Sequence, residues 1–336
     1  MKRLVLCAAI AFIAPAFTSF SNKIPVKQQA DLQWLKQWFE AWDLVRGKVL
    51  MLPEAPPPEM LFYDDTYVYT TSVVSAPEGS PVNGPAFSGK KLAWRKMPHK
   101  GQLTLPDGQK VPLGLMSFAG PAGNGKSFFV MAAPSFWEAA GVKSELGLGN
   151  MLTGVFLHEF AHVRQFEGFG ARVDAIEKTH AFGDVSVSDD IVQDLFKKDS
   201  TYVREFQSEV NKLYEAAFAS SKEQVSSLAK EALGMLQRRH AKYFTGDKAI
   251  LSELDNIFLS MEGLGQYVAV AWLVHPRGGN IPFNTAIEGF RRKRNQWSQE
   301  EGLALFLVLT RLSNPDWNKT MFSKEPVSVL ELLNKL

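Results

Sequence analysis

His158-Glu159-Phe160-Ala161-His162 is the stretch on which the reading of this chain turns. It spells H-E-x-x-H inside an apolar pattern of helical period formed by Leu152, Val155, Phe156, Phe160 and Val163. Residues four apart on a helix lie one turn above each other on the same face. Two imidazoles so placed can reach one metal ion, and Glu159 sits about 100° round the helix beside them. Zinc-assisted hydrolysis uses those groups: two neutral nitrogen ligands, one more protein ligand, a water, and a carboxylate to take that water's proton. A surface helix that carries two His and a Glu by coincidence is the plain alternative, and the apolar flanks argue against it.

A two-His zinc site needs a third protein ligand, and the sequence offers few. A third His placed six residues after His162 would fall where Gly168 stands. His180 lies in a polar loop, His240 in an Arg-rich helix and His275 just before a proline. What remains is a glutamate from a second helix. Glu262 fits best, as the lone carboxylate of the apolar run Leu259-Ser260-Met261-Glu262-Gly263-Leu264-Gly265-Gln266-Tyr267. A buried Glu without a cation is costly, and the two glycines let a helix or a metal approach closely. A helix-surface or salt-bridged Glu is the competing reading of Glu262.

At this point the sequence resembles the gluzincin metallopeptidases, the thermolysin-like zinc hydrolases. In them a His-Glu-x-x-His helix is completed by a downstream Glu. It looks closest to exported bacterial members with a Glu-Gly-x-x-x-Tyr third-ligand helix. The likeness covers the metal helix and residues 250–267, and the N-terminal half poorly. It implies one Zn²⁺ held by His158, His162 and Glu262, with Glu159 as the base that passes a proton from water to the leaving amine. It also implies a donor for the developing oxyanion, for which Tyr267 and His275 are the candidates. Each of these two also has a structural reading, Tyr267 as core and His275 as a helix-end cap. Thermolysin-type members carry an Asp four residues after the ligand Glu to orient a ligand His. Here Gln266 stands there, so Asp255 or Glu253 is expected to hold an imidazole's other N–H.

The composition excludes several classes. A net charge of +2 over 336 residues gives no support to nucleic-acid binding. The short basic run Arg291-Arg292-Lys293-Arg294 reads as a solvated helix face before a phosphate or membrane contact. Lys2-Arg3, an apolar run at 4–13 and small residues around Ala14-Pro15-Ala16 and Ser19 have the order of a secretory signal peptide, too short to span a bilayer. Export to a periplasmic or extracellular space is therefore expected. Cys7, the one cysteine, would leave with that leader, so thiol ligands are not expected.

Downstream, Trp34, Trp38 and Trp42 recur at successive turns of a helix expected over 32–45. Such a stripe reads first as a docking face packed on the domain, with a glycan- or membrane-binding surface as the alternative. Prolines at 53–58 mark a linker. Strands are expected at 67–74, 110–118 and 127–133, the last either an edge along which an extended peptide pairs or an ordinary internal strand. Gly120-Pro121-Ala122-Gly123-Asn124-Gly125-Lys126-Ser127 matches the phosphate-loop pattern letter for letter. That motif needs a helix starting at Lys-Ser, whereas Phe128-Phe129-Val130 is β-prone and Pro134 would break its second turn. We read a hairpin loop there, with no nucleotide.

Helices are expected at 189–196, 202–219, 223–243, 250–274, 284–297, 300–312 and 327–336, with the metal helix ending near Gly168 and Gly170. Residues 303–309 are apolar all round and too short to cross a membrane, so they should be core. The expected fold is α+β, predominantly helical and zincin-like: a leader at 1–21, a helix and linker at 22–59, a β-rich part at 60–148 and a helical metal-binding lobe at 149–336. The expected substrate is a peptide or protein. A non-peptide amide such as a cell-wall crosslink fits the same chemistry, and a zinc-bearing scaffold without turnover is the rival from another class.

Overall fold

Short runs of β-branched and aromatic residues build the sheet that precedes the metal helix. The computed structural model describes residues 32–336 apart from 124, 125, 292–294 and 315. The leader-like segment with Cys7, the Asn124-Gly125 tip and Arg292-Lys293-Arg294 lie outside the described residues. The architecture is α+β. Helix α1 (Gln33–Lys48) leads into strands β1 (Glu59–Tyr63), β2 (Tyr67–Thr70), β3 (Ser80–Pro81), β4 (Arg95–Pro98), β5 (Gln102–Thr104), β6 (Lys110–Pro112), β7 (Ser117–Gly123) and β8 (Lys126–Ala132). Helices α2 (Pro134–Ala139), α3 (Leu148–Val163), α4 (Ala171–Thr179), α5 (Ile191–Phe196), α6 (Ser200–Phe218) and α7 (Lys222–Tyr243) follow. The chain closes with α8 (Leu251–Val274), α9 (Phe283–Phe290), α10 (Trp297–Leu312), α11 (Trp317–Met321) and α12 (Val329–Leu333).

Six strands form one sheet in the order β3-β4-β2-β1-β8-β7, and β5 pairs with β6 apart from it. β1 and β8 run parallel with Leu61 opposite Val130, and every other pairing in the sheet is antiparallel. β8 is thus internal, between β1 and β7, and not the open edge that the peptide-pairing reading requires. Its residues Phe128 to Ala132 are buried, and among the described residues β7 is the edge on that side. The described ends of the segment matching the phosphate-loop pattern belong to β7 and β8, which pair antiparallel with Gly123 opposite Lys126. Lys126 opens a strand, and Pro134 starts α2, where its missing N–H costs nothing.

The metal helix α3 has two working faces. Phe156 and Phe160 stand four apart and two residues out of step with His158 and His162, hence about 200° round the helix. The phenyl face meets α1 and the sheet: Trp38 stacks on Phe156 at 5.3 Å, Trp42 meets Phe160 edge-on at 4.9 Å, and Phe129 of β8 touches both. Burying each such ring contributes about 1.5–3 kcal/mol. Trp38 and Trp42 are buried and Trp34 is half-buried against Trp38 and Phe62. The tryptophan stripe is therefore an internal docking face and is not offered to a glycan or lipid.

The imidazole face of α3 meets α8, and α8 in turn packs on α10. Gly263 and Gly302 make that second crossing possible, since a Cβ built on Gly263 would lie 2.5 Å from the Gly302 carbonyl carbon. The segment Gly246–Val274 is long and apolar enough to cross a membrane, yet 83% of its apolar window is buried within the chain. Residues 303–309 are core, as their composition predicts.

Two expected helix boundaries move. The metal helix ends at Val163, ahead of Gly168 and Gly170, and these glycines lie in a π-helical turn (Phe166–Gly170) that leads into α4. These glycines serve close approach instead: a Cβ on Gly168 would meet the Ser323 carbonyl oxygen, and one on Gly170 the Phe166 ring. The helix expected over 284–297 ends at Phe290, and Trp297 begins α10.

Candidate metal centre

His158 and His162 project from α3, and Glu262 comes from the middle of α8. Their candidate ligand atoms all lie within 4.8 Å of one another, and all three residues are buried. His158 Nε2 is 3.1 Å from His162 Nε2. Glu262 Oε2 lies 3.1 Å from His158 Nε2, and Oε1 3.2 Å from His162 Nε2. Gly265, one turn of helix beyond Glu262, lets this happen: a Cβ there would stand 2.7 Å from His158 Nδ1.

The polar surroundings set which atoms face the centre. Gln165 Oε1 lies 2.8 Å from His162 Nδ1, so it takes that nitrogen's proton in a hydrogen bond. The neutral tautomer this selects leaves the Nε2 lone pair for a metal. Gln299 Nε2 at the start of α10 donates to Glu262 Oε2 at 3.0 Å, and Gln266 Nε2 donates in turn to Gln299 Oε1. Gln266 thus belongs to the site through the carboxylate ligand and not through an imidazole.

Charge balance completes the fit. Burial pushes the Glu262 carboxyl up, but His162 and His158 outweigh it and hold it well below the ordinary carboxylate range. Burial lowers the His162 imidazole, and Glu262 with Gln165 overcomes this and raises it. Two converging imidazoles and a wholly buried carboxylate, with Gln165 bonded to His162 and Gln299 to Glu262, are a donor set that suits a divalent cation. His158, His162 and Glu262 could hold a metal ion.

Other expected members stand elsewhere. Asp255 is bonded to His240 Nε2 at 2.7 Å and lies 3.6 Å from Arg239, and Glu253 is paired with Arg172 at 2.9 Å. Neither holds a ligand imidazole, because each is engaged by a cationic neighbour two turns away from the centre. Tyr267 packs its ring on Phe306 and Trp317, at 6.0 Å and 6.2 Å, and burial raises its hydroxyl. That is the core reading of Tyr267. His275 caps α8, its Nδ1 accepting from Arg277 N at 3.0 Å. At 1.5 Å per residue it stands about 20 Å along the helix from Glu262 and does not join the ligands. His180 bonds Thr179 in the polar loop.

Two residues with no place in the sequence reading are drawn into the site. Asp189, just before α5, is buried, and after burial itself the strongest influences raising its carboxyl are Glu262, Asp190 and Glu159. Asp190 is pushed up to about 6, by burial and then by Glu262. Gln165 was findable, three residues past His162 on the same helix face. Gln299 reaches the centre only through tertiary packing. Comparison of the chain with family models, curated proteins and solved structures found no match.

Proposed function

We propose that this chain is a zinc-dependent hydrolase of peptide bonds, of the zincin-like, gluzincin type. The observation that carries the reading is the convergence of Glu262 on the two imidazoles of a His-Glu-x-x-His helix, with Glu159 on the adjoining face of the same turn. A protein that needed the metal only for structure would have no use for that carboxylate. When bound, the ion supplies Lewis acidity that polarises a carbonyl and brings the ionisation of water to about pH 7. His158, His162 and Glu262 would hold it, with Gln165 orienting His162 and Gln299 orienting Glu262. Glu159 accepts a proton from water and delivers it to the leaving nitrogen. Burial of the whole group strengthens each of these charge interactions.

Glu159→Gln separates the hydrolase from a zinc-bearing scaffold. The variant should bind zinc as the native chain does and lose about 10²–10⁴-fold in turnover of a quenched-fluorescent peptide library. Turnover surviving in that variant would remove Glu159 from the chemistry. A native protein that carries zinc and cleaves neither peptides nor cell-wall amides would favour the scaffold.

A further inference from the structure

Ser298-Gln299-Glu300-Glu301, four consecutive polar residues in the first turn of α10, are all buried. Two buried glutamates in one turn carry a desolvation cost that apolar residues would avoid, so stability alone is a poor reason for them. Their partners point to another. Gln299 Nε2 donates to Glu262 Oε2 at 3.0 Å. Glu300 receives Arg291, whose Nη2 and Nε lie 2.6 Å and 3.0 Å from its Oε1. Glu301 receives Arg239 of α7 at 3.0 Å.

Arg291 opens the basic run Arg291-Arg292-Lys293-Arg294, yet it is not a solvated cation. Its side chain is 7% exposed and that of Glu300 is 2% exposed. The guanidinium lies over the Tyr214 ring of α6, 3.9 Å from its centroid, and the Tyr214 hydroxyl donates to the Glu300 carbonyl oxygen at 3.2 Å. The Trp297 N–H, one of the amides that a helix start cannot pair within itself, donates to Gln193 Oε1 of α5 at 3.0 Å. The turn that carries Gln299 is therefore held from α5, from α6 and from the residue that follows α9.

The geometry gives these contacts a use at the metal centre. A guanidinium fork that meets a carboxylate with two N–H groups fixes orientation as well as distance. A displacement of about 0.5 Å takes a 3.0 Å N–H···O bond outside its usual range. The Gln299 amide can hold Glu262 only while its own turn is held. We propose that Arg291 and Glu300 are positioning residues of the metal centre: their forked pair sets the first turn of α10 in the orientation from which Gln299 holds Glu262 for a divalent cation. The inference rests on the metal-binding part of the reading above. Arg239 is the less discriminating probe, because it also pairs with Glu209 and Asp255.

The test is a double-mutant cycle on the zinc affinity of the full chain, read by competition with a chromogenic chelator. Arg291→Met removes the fork and keeps an apolar stem against Tyr214. Affinity should fall by about 3–30-fold. The same substitution made in Gln299→Leu should cost nothing more, because no amide is left to position. General loosening of the fold would instead add its loss to that of Gln299→Leu. Unchanged affinity in Arg291→Met, or additive losses, overturns the assignment. The visible bands of the Co²⁺-loaded chain report ligand geometry, and Arg291→Met should move them in the same sense as Gln299→Leu; native bands in the variant reject the proposal. Arg291→Lys keeps the charge without the fork and decides by the same criteria if Arg291→Met does not fold. Failure of the functional reading looks different. A native chain that binds neither zinc nor cobalt removes the metal centre and this role with it. Coupled zinc affinities in a protein that cleaves no peptide leave the positioning role standing and reject the hydrolase.

Discussion

Two amides at the centre, those of Gln299 and Gln165, decide how well the ligands are held. Gln299 donates to the same Glu262 oxygen that faces His158. Replacing it by Leu removes that donor and leaves the Gln266 amide without its acceptor. Zinc affinity should fall by about 10–100-fold, read by competition with a chromogenic chelator; an unchanged affinity would show that the amide does not hold the ligand. Gly265→Ala should act on the other side of the site, since its methyl would press on the His158 ring. At this scale the sequence was most informative for groups whose chemistry is demanding. His158, Glu159, His162 and Glu262 have residue types and surroundings that few other roles require. Gln165 and Gln299 are ordinary polar residues until folding brings them to His162 and Glu262, and nothing local marks the second.

Among the elements, the crossing of α8 on α10 positions both Glu262 and its Gln299 support. Backbone meets backbone there, so the contact has no flexible side chain to yield. A methyl on Gly302 would stand 2.6 Å from the Leu259 carbonyl oxygen and 2.7 Å from Gly263 Cα. Gly302→Ala should therefore separate the helices, lower stability by about 1–3 kcal/mol in urea unfolding and weaken zinc binding with it. Equal stability of variant and native protein would show that the crossing has slack. Most helices were legible from their period, because amphipathic spacing follows directly from which face is buried. Gly168 and Gly170 read as stops because glycine destabilises helices, whereas packing against Ser323 and Phe166 is what requires them. β8 was open to two readings because a short continuous apolar run does not by itself say how many neighbours the strand has.

Across the whole molecule, four helices share a second buried charge cluster that contains none of His158, His162 and Glu262. Arg239 of α7 is bonded to both carboxylate oxygens of Glu209 on α6, to Glu301 on α10 and to the Tyr202 hydroxyl, with Asp255 of α8 at 3.6 Å. Breaking the pair by Glu209→Gln should cost about 3–5 kcal/mol. Glu301 should behave differently. Burial, with Glu209 beside it, pushes its carboxyl well above the ordinary value of 4.5 against the pull of Arg239. The folded state then keeps a proton that the unfolded chain releases near pH 4.5, so this residue's contribution falls as pH rises from there toward the folded value. Glu301→Gln removes that slope, and unfolding free energies from pH 4.5 to 8 should be flatter in the variant; parallel curves would count against a protonated Glu301.

The metal centre has a mechanical side as well. A sequence with one cysteine can form no disulfide within itself. Yet His158 and Glu262, 104 residues apart, would grip the same ion. An ion held by the folded chain and released by the unfolded one stabilises the fold through its own binding affinity. The reagent is then also a clasp, whose hold tightens as free zinc rises. If the group holds zinc, a chelator should lower the protein's resistance to digestion over the same range in which it removes the ion; resistance unchanged by chelation would count against the clasp.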